Sequence, residues 1–207
     1  MNESIYFSFE HDTLREQLRR FIGREVIPHA DAWEVEGATP RGVLRKMGEL
    51  GWLGMRYPEE YGGSALDTLA SVVLAEELGR CGYGGFAITV LVHTDMASPH
   101  LANAGSDAQL ARYMPAVTAG EAITAVAVTE PDAGSDVARL RTTARREGGD
   151  WVLNGSKMFI TNGVHADLIF VAARTDPDVK GSRGISTFLV PADTPGLSAD
   201  APERKMG

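Results

Sequence analysis

The chain of 207 residues has a single cysteine, Cys81, which excludes an internal disulfide and makes a reducing, cytoplasmic setting the expectation. No apolar run approaches about 18 residues, so no membrane-spanning helix is expected. The opening MNESIYFSFEHD has neither a basic start nor an apolar stretch, so no signal peptide is read there. The histidines, His11, His29, His93, His100 and His165, lack the close spacing of a metal centre, and none is assigned as a ligand. No G-x-G-x-x-G follows a strand pattern and no Walker sequence occurs, which removes two common nucleotide-binding loops. Positive charge is also short: 20 Lys and Arg face 28 Asp and Glu, a formal net charge of −8. Without a basic stripe, nucleic acid is not an expected partner. The deficit is uneven, net −6 over 1–119 and net −2 over 120–207, so the second part suits an anionic ligand better.

What is present is 43% hydrophobic residues, ordinary for a globular protein, arranged with two periods. Up to Gly120 the period is helical. Asp12 is read as a cap, with Thr13 and Glu16 behind it, and Leu14, Leu18, Phe21, Ile22 and Val26 share one face until Pro28 ends or bends the helix. Thr39-Pro40 opens a second helix that Gly51 stops, and Asp67 opens a third. Trp52, Tyr57 and Tyr61 read as core anchors of a loop. The adjacent Glu76 and Glu77 point about 100° apart on a helix, so they are read as a solvated face and not as a catalytic pair. The apolar stretch 85–93 predicts a buried helix, Pro99 to Ala104 a short one, and Ser106 with Gln109 a capping box for Asp107 to Thr118.

Beyond Gly120 the period falls to about 2, with strands expected at 122–129, 139–147, 150–154, 157–161, 167–174 and 185–191. Gly148-Gly149 and Asn154-Gly155 are the hairpin signals. An all-α domain, 1–120, followed by an antiparallel β-barrel or sandwich, 121–207, is the expected α+β organisation.

Function concentrates between Ala125 and Gly163. A small-residue strand breaks at Thr129-Glu130-Pro131-Asp132-Ala133-Gly134-Ser135-Asp136, a loop of hydroxyls and amides. Lys157-Met158-Phe159-Ile160-Thr161-Asn162 then ends in another hydroxyl and a glycine. Such edges suit a flat heterocycle whose face packs on apolar surface while its carbonyls accept hydrogen bonds. Two polar loops of an ordinary sheet would carry the same letters.

VTEPDAGSD followed by LNGSKMFITNG closely resembles the acyl-CoA dehydrogenase family of flavoproteins, with both motifs in order and correctly spaced. Tyr57-Pro58-Glu59-Glu60-Tyr61-Gly62-Gly63 and Glu76-Glu77-Leu78-Gly79 add weaker matches, and Met-Phe-Ile leans toward the long-chain branch. The resemblance implies FAD as cofactor and oxidation of acyl-CoA thioesters to trans-2-enoyl-CoA. A carboxylate takes the α-proton, and the β-hydrogen leaves as hydride to flavin N5. It maps one flavin segment onto Val126, Ala127, Val128, Thr129, Glu130, Pro131, Asp132, Ala133, Gly134 and Ser135, and a second onto Phe159, Ile160 and Thr161. Thr129 matches the hydroxyl at the pyrimidine edge, Ser135 a residue that also touches the acyl-CoA, Phe159 a ring against the flavin, and Thr161 a hydroxyl near N5. Asp132 departs from the commoner glycine, and its tolerance of positive φ is the expected reason the turn survives.

The same resemblance implies an electron-transfer flavoprotein or other acceptor as partner, and a homo-oligomer, dimer or tetramer. It also implies a C-terminal four-helix bundle, after a sequence like Lys205-Met206-Gly207, that carries the glutamate base. That bundle is absent from this chain, so residues 1–207 alone are expected to be inactive, with Glu130 the first carboxylate to test if they are not. A non-catalytic subunit that binds flavin or acyl-CoA, an acyl-CoA oxidase and a flavin monooxygenase are the other readings on this scaffold.

Overall fold

A computed structural model describes residues 5–203, so Lys205-Met206-Gly207 lies outside the described residues. The chain forms two compact units, one ending at Ala122 and one covering Ile123–Glu203.

The first unit is helical. Helix α1 (Phe9–Phe21) starts one turn earlier than the Asp12 cap expected from sequence, because Ser8 and His11 form a capping box and Asp12 falls within the first turn. Pro28 bends the chain without ending it. It lacks the N–H that an α-helix needs there, and a π-helical turn at Ile22–Val26 precedes α2 (Ile27–Glu36). Pro99 has the same consequence: a π turn at Val92–Ala97 joins α5 (Gly84–Leu91) to α6 (Ser98–Ala104). Between them lie α3 (Arg41–Glu49), with Pro40 and not Thr39 at its N-cap, and α4 (Thr68–Arg80), capped by Asp67 through the Ala70 amide at 3.0 Å. Helix α7 (Asp107–Thr118) keeps the expected bounds and the Ser106–Gln109 capping box.

Leu18, Leu44, Met47, Leu74, Leu78 and Met114 are fully buried and form the centre of this unit. Each contributes about 1.5–3 kcal/mol by leaving water. Trp52 and Tyr57 are buried anchors, as expected, whereas α5 buries Phe86 and Val90 but leaves Ile88 exposed. Glu77 departs from the expectation of a solvated face: it is 2% exposed and faces α1. Arg19 donates twice to its carboxylate, at 2.7 and 3.0 Å, and Arg15 once at 3.0 Å. The 100° between neighbours holds, but it separates one buried carboxylate from one exposed one.

The second unit is a five-stranded sheet. Its spine is β4 (Leu168–Arg174), six of whose residues are buried, so it reads as an unbroken apolar run. Strand β5 (Ile185–Pro191) pairs with it antiparallel over its whole length. On its other side β1 (Thr124–Ala127) pairs parallel with Leu168–Val171, and β2 (Thr143–Glu147) rejoins the same side, parallel, at Arg174. The sheet is therefore mixed, not wholly antiparallel. Strand β3 (Asp150–Asn154) completes a hairpin with β2 across Gly148-Gly149, where Gly148 has φ 62°.

No hairpin forms at Asn154-Gly155, and 157–161 is not a strand. Gly155 serves close approach instead: a Cβ there would lie 2.4 Å from Thr142 Oγ1. The chain leaves the sheet after β3 and turns at Phe159, with φ 58°, and again at Asn162, with φ 65°. Ile160 packs on a buried cluster of Ala125, Ala127, Ala166, Ile169 and Val171.

Candidate functional site

Because β1 and β2 lie on the same side of β4, residues 128–142 are an excursion that leaves that side and returns to it. The excursion starts with a tight turn. Glu130 N–H donates to Ala133 O at 2.7 Å and Ala133 N–H to Glu130 O at 3.2 Å, with Pro131 and Asp132 at the tip. Pro131 has no N–H to lose there. Asp132 does not take up positive φ; among the non-glycine described residues only Ala65, Phe159 and Asn162 do. The Asp132 carboxylate accepts from Arg141 Nη1 at 3.0 Å, with both side chains mostly in solvent.

The Glu130 side chain turns inward and is 6% exposed. Its carboxylate accepts from the Arg141 amide at 2.6 Å, the Thr142 amide at 2.9 Å and Lys157 Nζ at 2.8 Å. Burial alone would raise its pKa. The Lys157 ammonium and the amides of Arg141 and Thr142 outweigh burial and bring the pKa down to about 2. Lys157 is held lower than a free lysine, burial opposing the support that Glu130 gives it. An anion so fully bonded is a poor proton acceptor, which argues against Glu130 as a base.

Lys157 also donates to Val128 O at 2.9 Å, and Met158 N–H donates to Thr129 O at 2.9 Å. These bonds lay the 157–161 segment along the start of the excursion, so the two stretches singled out in the sequence are neighbours. Phe159 stands 59% exposed and has φ 58°, an uncommon conformation for an aromatic residue. Asn162 fixes the far end of the segment by donating from Nδ2 to Thr124 O at 3.1 Å.

Among the described residues the hydroxyls of Thr129, Ser135 and Thr161 make no hydrogen bond. Thr129 and Thr161 are half-buried, whereas Gly134, Ser135 and Asp136 are exposed. Val126, Val128 and Ile160 are half-buried, and Ala127 and Ala133 are buried. The donor set is thus the uncommitted hydroxyls of Thr129 and Thr161 on two neighbouring segments, with an exposed aromatic ring on the second and Ser135 further along the first. It fits a ligand that is flat, apolar on its face and rich in acceptors at its edge.

Lys157 is the residue that sequence reasoning left out. A single lysine in the run Lys157-Met158-Phe159-Ile160 was the available signal, since a buried lysine needs a partner. Arg141 and Thr142 contribute main-chain amides, which have no sequence signature.

Residues 8–121 match the family model for the acyl-CoA dehydrogenase N-terminal domain, and residues 125–207 match the model for the acyl-CoA dehydrogenase middle domain. The chain belongs to the acyl-CoA dehydrogenase family. It is 43% identical over 204 residues to the mitochondrial long-chain specific acyl-CoA dehydrogenase of Mus musculus, an alignment covering 97% of this chain and 46% of that protein. An acyl-CoA dehydrogenase from Geobacillus kaustophilus superposes with a TM-score of 0.89 at 43% identity, covering 93% of this chain and 50% of the other. A Mycobacterium smegmatis glutaryl-CoA dehydrogenase in complex with FADH2 superposes with a TM-score of 0.90 at 35% identity, covering 99% of this chain and 51% of the other. The chain spans about half the length of the curated relatives it matches.

Proposed function

We propose that the protein containing this chain is an FAD-dependent acyl-CoA dehydrogenase, and that residues 126–135 and 159–161 hold the flavin. The observation that carries this reading is the pair of main-chain-anchored segments, joined by Met158 N–H to Thr129 O and by Lys157 Nζ to Val128 O. They bring the stretch that carries the uncommitted hydroxyl of Thr129 alongside the stretch that carries Phe159 and Thr161. FAD, when bound, supplies the hydride acceptor for the β-hydrogen of an acyl-CoA thioester. Thr129 and Thr161 donate hydrogen bonds to acceptor atoms at the ring edge, and Phe159 covers apolar surface. Ser135, on the exposed arm of the excursion, is free to reach the substrate. Electrons leave to a flavoprotein or another acceptor. The closeness to a long-chain specific relative supports a long acyl chain as substrate.

The test is made on the complete protein. As purified it should show the absorption bands of bound flavin, and palmitoyl-CoA added without oxygen should bleach them in one turnover. Thr161→Val leaves an acceptor unpaired and should cost about 1–3 kcal/mol, read as slower bleaching at full flavin loading. A protein without flavin, or bleaching unchanged by Thr161→Val, contradicts the assignment.

A further inference from the structure

The Glu130–Lys157 pair does more geometric work than its share of burial suggests. Lys157 Nζ donates to the carbonyl of Val128 and to the carboxylate of Glu130, the residues on either side of Thr129. One residue further along its own strand of chain, Met158 N–H bonds to the carbonyl of Thr129 itself. Thr129 is therefore bracketed on three successive residues by one short segment, and that segment leads directly into Phe159. Neither stretch is part of a strand, so no sheet ladder sets their spacing. The far side of the Glu130 carboxylate is held by the amides of Arg141 and Thr142, where the excursion returns toward β2. The carboxylate is thus a fixed post, tied on one side to the residues that lead into β2 and on the other to Lys157.

An apolar pair of equal volume could fill the space, since buried ion pairs are often no more stabilising than well-packed hydrophobic residues. It could not fix the spacing, because dispersion contacts are not directional and the four charge-assisted hydrogen bonds of the pair are. We propose that Lys157 and Glu130 are positioning residues that set the separation of Thr129 from Phe159 and Thr161, and with it the affinity and reduction rate of the flavin. This rests on the flavin reading given above. Both residues act through the backbone that carries the hydroxyls, and misplacement of a donor by about 1 Å is enough to cost about a hundredfold in rate.

The experiment compares the complete protein with its Lys157→Met, Lys157→Arg and Glu130→Gln variants. Four quantities are read: the melting profile, the FAD dissociation constant from flavin fluorescence, the flavin reduction rate at full loading, and the palmitoyl-CoA concentration giving half the maximal rate. Lys157→Met should bind FAD at least about tenfold more weakly and reduce it about 10- to 100-fold more slowly, with half-saturation changed by no more than about twofold. Lys157→Arg, which keeps a charged donor, should recover most of both losses. Glu77→Gln, which weakens the other buried pair, should lower the melting temperature without moving either flavin quantity. If Lys157→Met does not fold, Glu130→Gln carries the test, with the same direction and smaller size. Lys157→Met or Glu130→Gln that folds, binds FAD and reduces it like the parent overturns the positioning role and leaves the flavin reading intact. A parent protein that binds no FAD overturns both.

Discussion

Among the described residues the two units each bury one glutamate, and the two glutamates differ in what can rescue their partners. Glu77 joins α1 to α4, elements that already have helical hydrogen bonds and an apolar interface of their own. Its main partner, Arg19, is 49% exposed and can return to water. Glu130 joins stretches with no regular structure, and its partner Lys157 is only 11% exposed. In the helical unit the ion pair adds to an arrangement that packing has decided. In the β unit it is itself the arrangement. Both carboxylates are pulled below the usual range, burial opposing and the cations prevailing.

Truncation should separate the two most strongly. Glu130→Ala strands a buried ammonium and two amides and should destabilise its unit by about 3–5 kcal/mol. Glu77→Ala frees Arg19 to be solvated and should cost about 1–3 kcal/mol. Urea unfolding followed by separate probes in the two units measures both, and equal losses would erase the distinction.

Acid sharpens the comparison next. Glu130 has its pKa depressed to about 2, so its contribution is present above the ordinary value of 4.5 and is lost only as pH falls toward 2. The helical unit also holds His93, 1% exposed, whose Nε2–H donates to Val117 O at 3.0 Å. Burial pushes its pKa down to about 4, against an ordinary 6.5. Between those values the unfolded chain takes a proton that the folded chain refuses, so stability falls as pH falls, by up to about 1.4 kcal/mol per pH unit. The helical unit should therefore weaken first, from about pH 6.5, and His93→Gln should flatten that slope. A slope that persists in the variant belongs to another group.

The smallest contrast lies within the β unit. Gly155→Ala places a methyl 2.4 Å from Thr142 Oγ1 and 2.7 Å from its Cα, and should cost about 1–3 kcal/mol. Gly148→Ala meets no atom within 4 Å and pays only for its positive φ, about 1 kcal/mol. Thermal melts of the two variants rank them.

The same contrast explains what could be read from the residues alone. Helix α7 and strand β5 have their expected bounds, and for α7 the reason is a capping box, which is a local signal. The motifs around Thr129 and Phe159 were visible as letters. The strand expected at 157–161 was not found, because Lys157 is drawn to Glu130 and Phe159 turns to φ 58°, tertiary demands that override local strand preference. Asn154-Gly155 looked like a turn because glycine at a close approach and glycine at a turn share one letter. Burial of Glu77 depended on Arg15 and Arg19, about 60 residues away in sequence, and no helical period reveals a partner on another helix. The parallel pairing of β1 with β4 is equally non-local, set by where the excursion returns to the sheet.

If one FAD molecule lies against the two segments that the Glu130–Lys157 pair holds together, binding must protect both segments. Amide hydrogen exchange of the complete protein, with FAD bound and with FAD removed, tests it most directly. FAD should slow exchange over residues 129–135 and 158–162 and leave the Gly148-Gly149 turn unchanged. Exchange at both segments that is indifferent to FAD would contradict it.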